Sequence, residues 1–181
     1  MKLASPILAS VLAVALVISG CSTAWIQVAI NDAPVVLQIV VSILSIADVA
    51  AVPEANAAGK EAQSDLALLQ KYLADYKAAA SGSTEQNVAL KNIGAALSAA
   101  QGDLNAILAA VHVKDPAKQA AISAGVGVAL SVLLSIEALL PQSPAPAAKK
   151  AAVAASLPDA KTVKKLYNSA VSSAYPSAVI H

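Results

Sequence analysis

The chain of 181 residues contains no phenylalanine and no arginine, and it has only one cysteine and two histidines. Without arginine it lacks the guanidinium groups that dominate phosphate and nucleic-acid recognition. A single cysteine excludes an intramolecular disulfide, and so few cysteines and histidines make a zinc site improbable. The acidic residues are scattered and form no cluster typical of catalysis. We therefore predict a protein that is not an enzyme and that uses no cofactor, metal or nucleic acid.

Alanine and aliphatic residues supply most of what is present. Hydrophobic residues make up 57% of the chain although aromatic residues make up only 3%. Because alanine is the strongest helix former, the composition predicts an all-α fold, with leucine, isoleucine and valine packing between closely spaced helices. The charge is uneven, since residues 21–140 carry six lysines and ten acids whereas residues 141–181 carry five lysines and one acid. The body is therefore acidic and the C-terminal part is basic.

The N-terminal 21 residues have the three parts of an export signal. Lys2 precedes an apolar run over 3–18, and the run ends in the sequence Ile18-Ser19-Gly20-Cys21. A thiol can accept a diacylglyceryl group, and small residues before it fit the active site of a peptidase. This pattern resembles the signal peptides of bacterial lipoproteins. The resemblance implies that residues 1–20 are removed and that Cys21 becomes the lipidated first residue of a protein held in the bacterial cell envelope.

An uncleaved membrane anchor is the alternative for this segment. Its apolar run of about 16 residues is shorter than the roughly 20 that a membrane-spanning helix needs, so we favour the lipoprotein interpretation. By the same resemblance, Ser22 in place of an aspartate favours the outer membrane over the inner membrane. Trp25 lies one helical turn after Cys21. It is expected either to rest at the membrane interface or to cap one end of the folded domain.

Residues 21–32 are predicted to be a tether, and residues 33–140 an antiparallel four-helix bundle. The first helix should begin at Ala33, with Asp32 as its cap and Pro34 in its first turn, and should end near Val52. Residues 53–59 are expected to form a connection. A second helix over 61–80 should end before Gly82.

The third and fourth helices have clear start signals. Ser83 and Gln86 fit a capping box, and the helix they open should end near His112, whose side chain is expected to cap the helix end. Asp115 followed by proline should begin the fourth helix, which runs to residue 140. Gly125 and Gly127 are expected to permit a close approach between helices.

Residues 141–158 are predicted to be a Pro/Ala-rich linker, and residues 159–181 a short basic amphipathic helix with a tail. Ser156 or Asp159 should cap this helix. Its lysines could bind anionic lipid, lipopolysaccharide or a cell-wall polymer. The alternative is a solvated helix packed loosely on the acidic bundle. The candidates for contact with an anionic surface are Lys161, Lys164 and Lys165.

Three other side chains have open interpretations. Glu137 is the sole charge in the apolar stretch 120–140, where it is either a functional carboxylate or a residue on an exposed helix edge. Tyr72 and Tyr76 lie four residues apart on one helix and form either a binding patch or part of the packing.

The sequence favours a lipid-anchored envelope protein that acts as a structural, adaptor or binding module. A membrane-active protein, holin-like or pore-forming, is the alternative, because residues 35–52 and 120–140 are nearly uncharged and close to spanning length. A carrier of an apolar ligand within the bundle is the third possibility. The sequence leaves the envelope partner and the oligomeric state open.

Overall fold

The computed structural model describes residues 6–144 and 146–181, and it describes side chains for residues 25–144, 146 and 148–181. All regular elements in these residues are helical, which confirms the all-α prediction. In chain order the helices are α1 (Pro6–Ser45), α2 (Ala47–Ala50), α3 (Pro53–Ala78), α4 (Thr84–Ala110), α5 (Pro116–Leu139), α6 (Ala147–Ser156), α7 (Ala160–Val171) and a 3-10 turn (Pro176–Ala178).

Helix α1 does not begin at Ala33, so the predicted N-terminus is wrong. Pro34 lies inside the helix and Asp32 is a helical residue, not a cap. Residues 25–32, expected to belong to a tether, are helical and supply part of the core, because Trp25 and Ala29 are buried. An interior proline costs a helix about 3 kcal/mol. Burial of the helix face that carries Trp25 and Ala29 offsets that cost. The helix then stops at Ser45, before the short α2.

Helix α3 begins at Pro53, eight residues before the predicted start at residue 61. Residues 53–59 were expected to be a connection, since Gly59 suggested a break, but the helix continues through the glycine. The absence of a side chain at Gly59 allows the two helices to pack closely. A Cβ on Gly59 would lie 2.2 Å from Leu44 Cδ2 of α1. Gly59 is therefore a point of very close contact between α1 and α3.

The predicted helix starts at Ser83 and Asp115 are confirmed. Ser83 Oγ accepts from the Gln86 amide at 3.1 Å, although the Gln86 side chain accepts from the Gly82 amide at 2.7 Å instead of reaching Ser83. Gly82 itself has a φ of 77°, a left-handed conformation that glycine adopts readily, in the turn between α3 and α4. Asp115 Oδ1 accepts from the amides of Ala117 and Lys118 at 2.9 and 3.3 Å.

Helices α1, α3, α4 and α5 pack in a ring, in which each contacts the next and α5 contacts α1. Contacts between distant residues join these neighbours, and they show that α1 and α3 run in opposite directions. Leu44 near the end of α1 meets Gly59 near the start of α3, and Gln101 of α4 donates to Glu137 near the end of α5. The shared core is almost entirely aliphatic. Its largest fully buried members in these helices are Ile39, Ile43, Leu66, Leu69, Leu73, Ile93, Leu97, Leu104, Ile107, Ile122 and Leu133.

The predicted linker is not wholly irregular, because it contains helix α6. Six of its ten residues are alanine, so the stretch keeps strong helix propensity despite the flanking prolines. The Lys150 ammonium group donates to the carbonyl oxygens of Leu140 at 2.7 Å and Pro141 at 3.1 Å. The helix is therefore tied to the end of α5.

The C-terminal helix α7 belongs to the core, so the expectation of loose packing is wrong. Asp159 caps it, accepting from the Thr162 amide at 2.8 Å. Val163, Tyr167 and Val171 are fully buried, and they lie on the face that packs against α5 and α1. A Cβ on Gly125 would lie 3.0 Å from Tyr167 Cε2. The close approach predicted at Gly125 thus occurs with α7.

Helix α7 runs parallel to α1. Asp159, at its start, lies near Asp32, and Tyr167 contacts Ser42. Beyond α7, the Tyr175 hydroxyl donates to Asp48 of α2 at 2.9 Å. The side chains of α1 and of the C-terminal segment therefore meet in the same order along the chain. The end of the fold that holds Trp25 and Asp159 is called the Trp25 end below.

Candidate functional site

Cys21, the candidate lipidation residue, lies outside the residues whose side chains the structure describes. Trp25, the candidate for the membrane interface, is 3% exposed, and its ring packs at 5.1 Å and 59° against the ring of Tyr76. Within the described part of the chain, the indole Nε1 has no hydrogen-bond partner. The indole therefore packs in the protein interior at one end of the fold, and a role at the membrane interface stays a prediction.

Tyr72 and Tyr76 have different surroundings. Tyr76 contacts Trp25, whereas the ring of Tyr72 lies 5.5 Å below the ammonium group of Lys71. No ring contact joins the two tyrosines among the described side chains. Tyr76 is therefore part of the packing at the Trp25 end, and the two do not form a single patch.

The three predicted basic residues all lie on α7. Lys161 and Lys165 are exposed, and Lys164 is half-buried, with its ammonium group donating to the carbonyl oxygen of His181 at 2.7 Å. Val163, between them, is buried. The lysines thus follow the outer face of a helix whose opposite face is in the core, which leaves Lys161 and Lys165 accessible.

Glu137 and His112 have local structural partners. Glu137 is half-buried and accepts a hydrogen bond from Gln101 Nε2 of α4 at 2.9 Å. It therefore links α4 to α5, and it is neither isolated in the core nor fully exposed. His112 is exposed, with its Nδ1 3.2 Å from the carbonyl oxygen of Ala110. This contact is the capping interaction expected for it.

Asp32, predicted to cap a helix, is instead an ionisable residue in the core. Asp32 is 1% exposed. It occupies the core face of α1, in register with Ala29 and Val36. Its Oδ2 atom is buried without a hydrogen-bond partner in the described residues. A signal was present, because Asp32 is the one charge in the helical spacing Trp25, Ala29, Asp32, Val36, Ile39, Ile43. The assumed helix start at residue 33 concealed it.

Asp32 lines a surface hollow of about 470 Å³ where α1 meets the junction of α6 and α7, called the Asp32 hollow below. The polar groups in its wall are Asn31, Asp32, Asp159 and Lys161. The other lining residues are Val28, Ala154, Leu157, Pro158 and Ala160. Two carboxylates and a largely aliphatic wall thus share one hollow.

The two carboxyl groups of the Asp32 hollow have opposite pKa shifts. Burial, followed by the nearby Asp159 charge, raises the pKa of Asp32 to about 6. Hydrogen bonds with Thr162 lower the pKa of Asp159, and the neighbouring Lys161 charge adds to this effect. Near pH 7 both groups are therefore ionised, and Asp32 takes up a proton in mildly acidic conditions.

A second buried polar group joins α1 to the C-terminal segment. The Tyr167 hydroxyl, in a fully buried side chain, donates to Ser42 Oγ at 3.0 Å. Ser42 in turn donates to the carbonyl oxygen of Ala178. Burial raises the pKa of Tyr167 above its ordinary value, so the phenol stays neutral. This chain of hydrogen bonds is structural, since each hydroxyl has a partner.

Asp103 of α4 faces Asp65 of α3. Burial, followed by the charges of Asp65 and Glu61, raises the pKa of Asp103 to about 6. Within the described residues, no group of three or more cysteine, histidine or acidic side chains is arranged to hold a metal ion. The carboxylates of α3 and α4 therefore form a local acidic surface without a ligand set.

An apolar hollow of about 350 Å³ lies between α5 and α7. Gly127 lines it, and a Cβ on this residue would contact nothing within 4 Å, so the close approach predicted there is wrong. The other lining residues are Ala124, Val128, Ser131, Val132, Pro158, Val163 and Leu166. Leu166 is 49% exposed, so the hollow opens at the surface and not inside the ring of helices.

Comparisons of the chain with protein-family models, curated proteins and solved structures found no match. The interpretation of these sites therefore depends on the residues themselves. Of the features described, the Asp32 hollow combines a buried polar group without a partner with space for a ligand.

Proposed function

We propose that this protein is a lipid-anchored module of the bacterial cell envelope that acts by binding or by structural support and not by catalysis. The observation that carries the proposal is the position of the lone cysteine. Cys21 ends an apolar run, follows two small residues, and lies four positions before Trp25, which is a core residue. The proposed anchor and the folded domain are thus almost contiguous.

The short separation limits how far the domain can lie from a membrane. Four residues span at most about 14 Å when fully extended. A lipid attached at Cys21 would therefore hold the Trp25 end of the fold close to the bilayer. By its sequence context the proposed location is the outer membrane in preference to the inner membrane.

The same geometry supports a role for the basic helix α7 in the proposed anchoring. Lys161 lies in the first turn of α7, at the Trp25 end, and so on the side that the anchor would hold near the membrane. Each lysine close to an anionic surface contributes about 1 kcal/mol to attraction. Lys161, with Lys165 one helical turn further, would therefore support the anchor on anionic lipid. A cell-wall polymer or an envelope protein is the other proposed type of partner.

A membrane-active protein is the second candidate. The segments Trp25–Ser45 and Pro116–Leu139 are both long and apolar enough to cross a membrane. Both also bury a face in the core, where Ile39 and Leu133 are fully buried. Insertion would require these faces to exchange helix contacts for lipid.

Membrane fractionation of the full chain and of Cys21→Ala tests the proposal. The variant carries an engineered cleavable signal so that it is still exported, and Thr23→Ala is the matched control that keeps the cysteine. We expect the full chain and Thr23→Ala to remain with membranes, to resist alkaline carbonate and to incorporate a tagged fatty acid. We expect Cys21→Ala to be released as a soluble helical protein.

The alternative predicts a different result. If Cys21→Ala resists alkaline carbonate and needs detergent for extraction, the apolar helices themselves insert, and the membrane-active function replaces the lipid-anchored module. If the full chain incorporates no fatty acid, the lipid anchor is wrong.

A further inference from the structure

The Asp32 hollow has the features of a ligand site at the junction of α1, α6 and α7. Its volume of about 470 Å³ falls in the range of small-molecule pockets, which is about 300–1,000 Å³. Asp32 is buried, and its Oδ2 atom has no partner among the described residues. A buried carboxylate oxygen without a donor is costly, so a donor supplied by a ligand would be strongly favoured there.

The charges in the wall determine the sign of that ligand. Asp32 from α1 and Asp159 from the start of α7 both present carboxyl groups, whereas Lys161 is the one cation among the described lining residues and Asn31 is neutral. Two carboxylates disfavour an anion. Among the described residues, no group of three or more histidine, cysteine or acidic side chains is arranged to hold a metal ion, here or elsewhere. A compact organic cation needs fewer acceptors.

The aliphatic part of the wall adds a second requirement. Val28, Leu157 and Pro158 line the same hollow as the two carboxylates. A ligand that satisfies both parts has a charged N–H group at one end and a short hydrocarbon body at the other.

We propose that the Asp32 hollow binds a small alkylammonium group, with Asp32 as the principal acceptor and Asp159 as the second. The three N–H donors of an ammonium group would reach both carboxylates, and the hydrocarbon would cover the aliphatic wall. This site gives a ligand class to the binding module proposed above. It is independent of the anchor, because it is formed by residues 28–32 and 154–161.

Titration of the full chain in mild detergent with butylammonium chloride, followed by amide chemical shifts, tests the proposal. 1-Butanol and sodium butanoate have similar hydrocarbon chains without the positive charge. We expect butylammonium to shift resonances of residues 28–32 and 154–161 at pH 7.5 and to bind at least tenfold more tightly than either control compound. At pH 5 about one Asp32 in ten is ionised, so affinity should fall about tenfold.

Three variants locate the effect. Asp32→Asn should weaken binding at least tenfold and remove most of its pH dependence. Asp159→Asn keeps an effective helix cap while removing the second charge, and it should weaken binding by a smaller factor. Asp75→Asn, on the exposed surface of α3, should leave binding unchanged.

The possible results separate clearly. Absence of shifts up to about 50 mM butylammonium, where any useful affinity would be evident, equal binding by Asp32→Asn, or equal binding of 1-butanol would each overturn the proposal. Loss of binding in Asp32→Asn does not reflect unfolding if amide shifts outside the hollow stay unchanged. Because fractionation of Cys21→Ala reports on the anchor and this titration reports on the hollow, either proposal can fail without the other.

Discussion

Removing the Ser42 hydroxyl should destabilise the protein more than removing the Tyr167 hydroxyl, although the two groups share a hydrogen bond. Tyr167→Phe removes one hydrogen bond and leaves Ser42 still donating to the carbonyl oxygen of Ala178. The expected loss is about 1 kcal/mol. Ser42→Ala leaves both the Tyr167 hydroxyl and the Ala178 carbonyl oxygen buried without a hydrogen-bond partner. The expected loss is then about 2–4 kcal/mol.

The double variant gives the sharper test. Once Tyr167 has become phenylalanine, Ser42→Ala leaves one buried group unpaired instead of two, so the double variant should be no less stable than Ser42→Ala alone. Urea unfolding at pH 7, followed by far-ultraviolet circular dichroism, measures all three free energies. Simple addition of the two single effects, or a loss in Ser42→Ala below about 0.5 kcal/mol, the least expected of one hydrogen bond, would show that these hydrogen bonds do not contribute to stability in this way.

Three further predictions follow from single side chains. Folding raises the pKa of Asp32 from its ordinary value of 3.8 to about 6. As the pH rises through that interval, ionisation of Asp32 therefore destabilises the folded state relative to the unfolded state. Asp32→Asn should therefore raise stability by up to about 3 kcal/mol at pH 8 and leave it unchanged at pH 3.5, measured by thermal unfolding. Gly59→Ala forces Leu44 to move and should be about 1–3 kcal/mol less stable than Gly102→Ala, which meets nothing within 4 Å; equal urea midpoints would contradict this. Asp115→Ala should lose about 1 kcal/mol in the same titration and Asp115→Asn almost none, because asparagine also caps helices.

Local signals predicted the starts of α4 and α5 correctly. Ser83 and Asp115 each act within three residues of their own position, so the sequence alone contains the interaction. The predictions that Gly59 and Pro34 lie at helix boundaries are wrong, because the neighbouring sequence does not show what stabilises the helix at these positions. Their helices continue because of packing between distant parts of the chain, and local propensity does not contain that contribution.

Among the candidate site residues, too, those that depend on local sequence were predicted and those that depend on distant packing were not. The basic face of α7 followed from its periodicity, and Lys161 and Lys165 are exposed as expected. The role of Asp32 depended on whether its helix began before or after it. A shift of a few residues in the helix start turns a solvent-exposed cap into a buried carboxyl group. The packing of Tyr167 on Gly125 joins residues 42 positions apart and has no local signature.

The parallel course of α1 and α7 has a mechanical consequence. If the chain is held at Cys21 and a load acts beyond α7, α1 and α7 are drawn in opposite directions past each other. Contacts of Asp48 with Tyr175, of Ser42 with Tyr167 and of the residues buried between the helices would then be sheared together. Sheared contacts share the load, whereas peeled contacts break one after another. Tension along this direction would therefore have to break these contacts together and not one at a time.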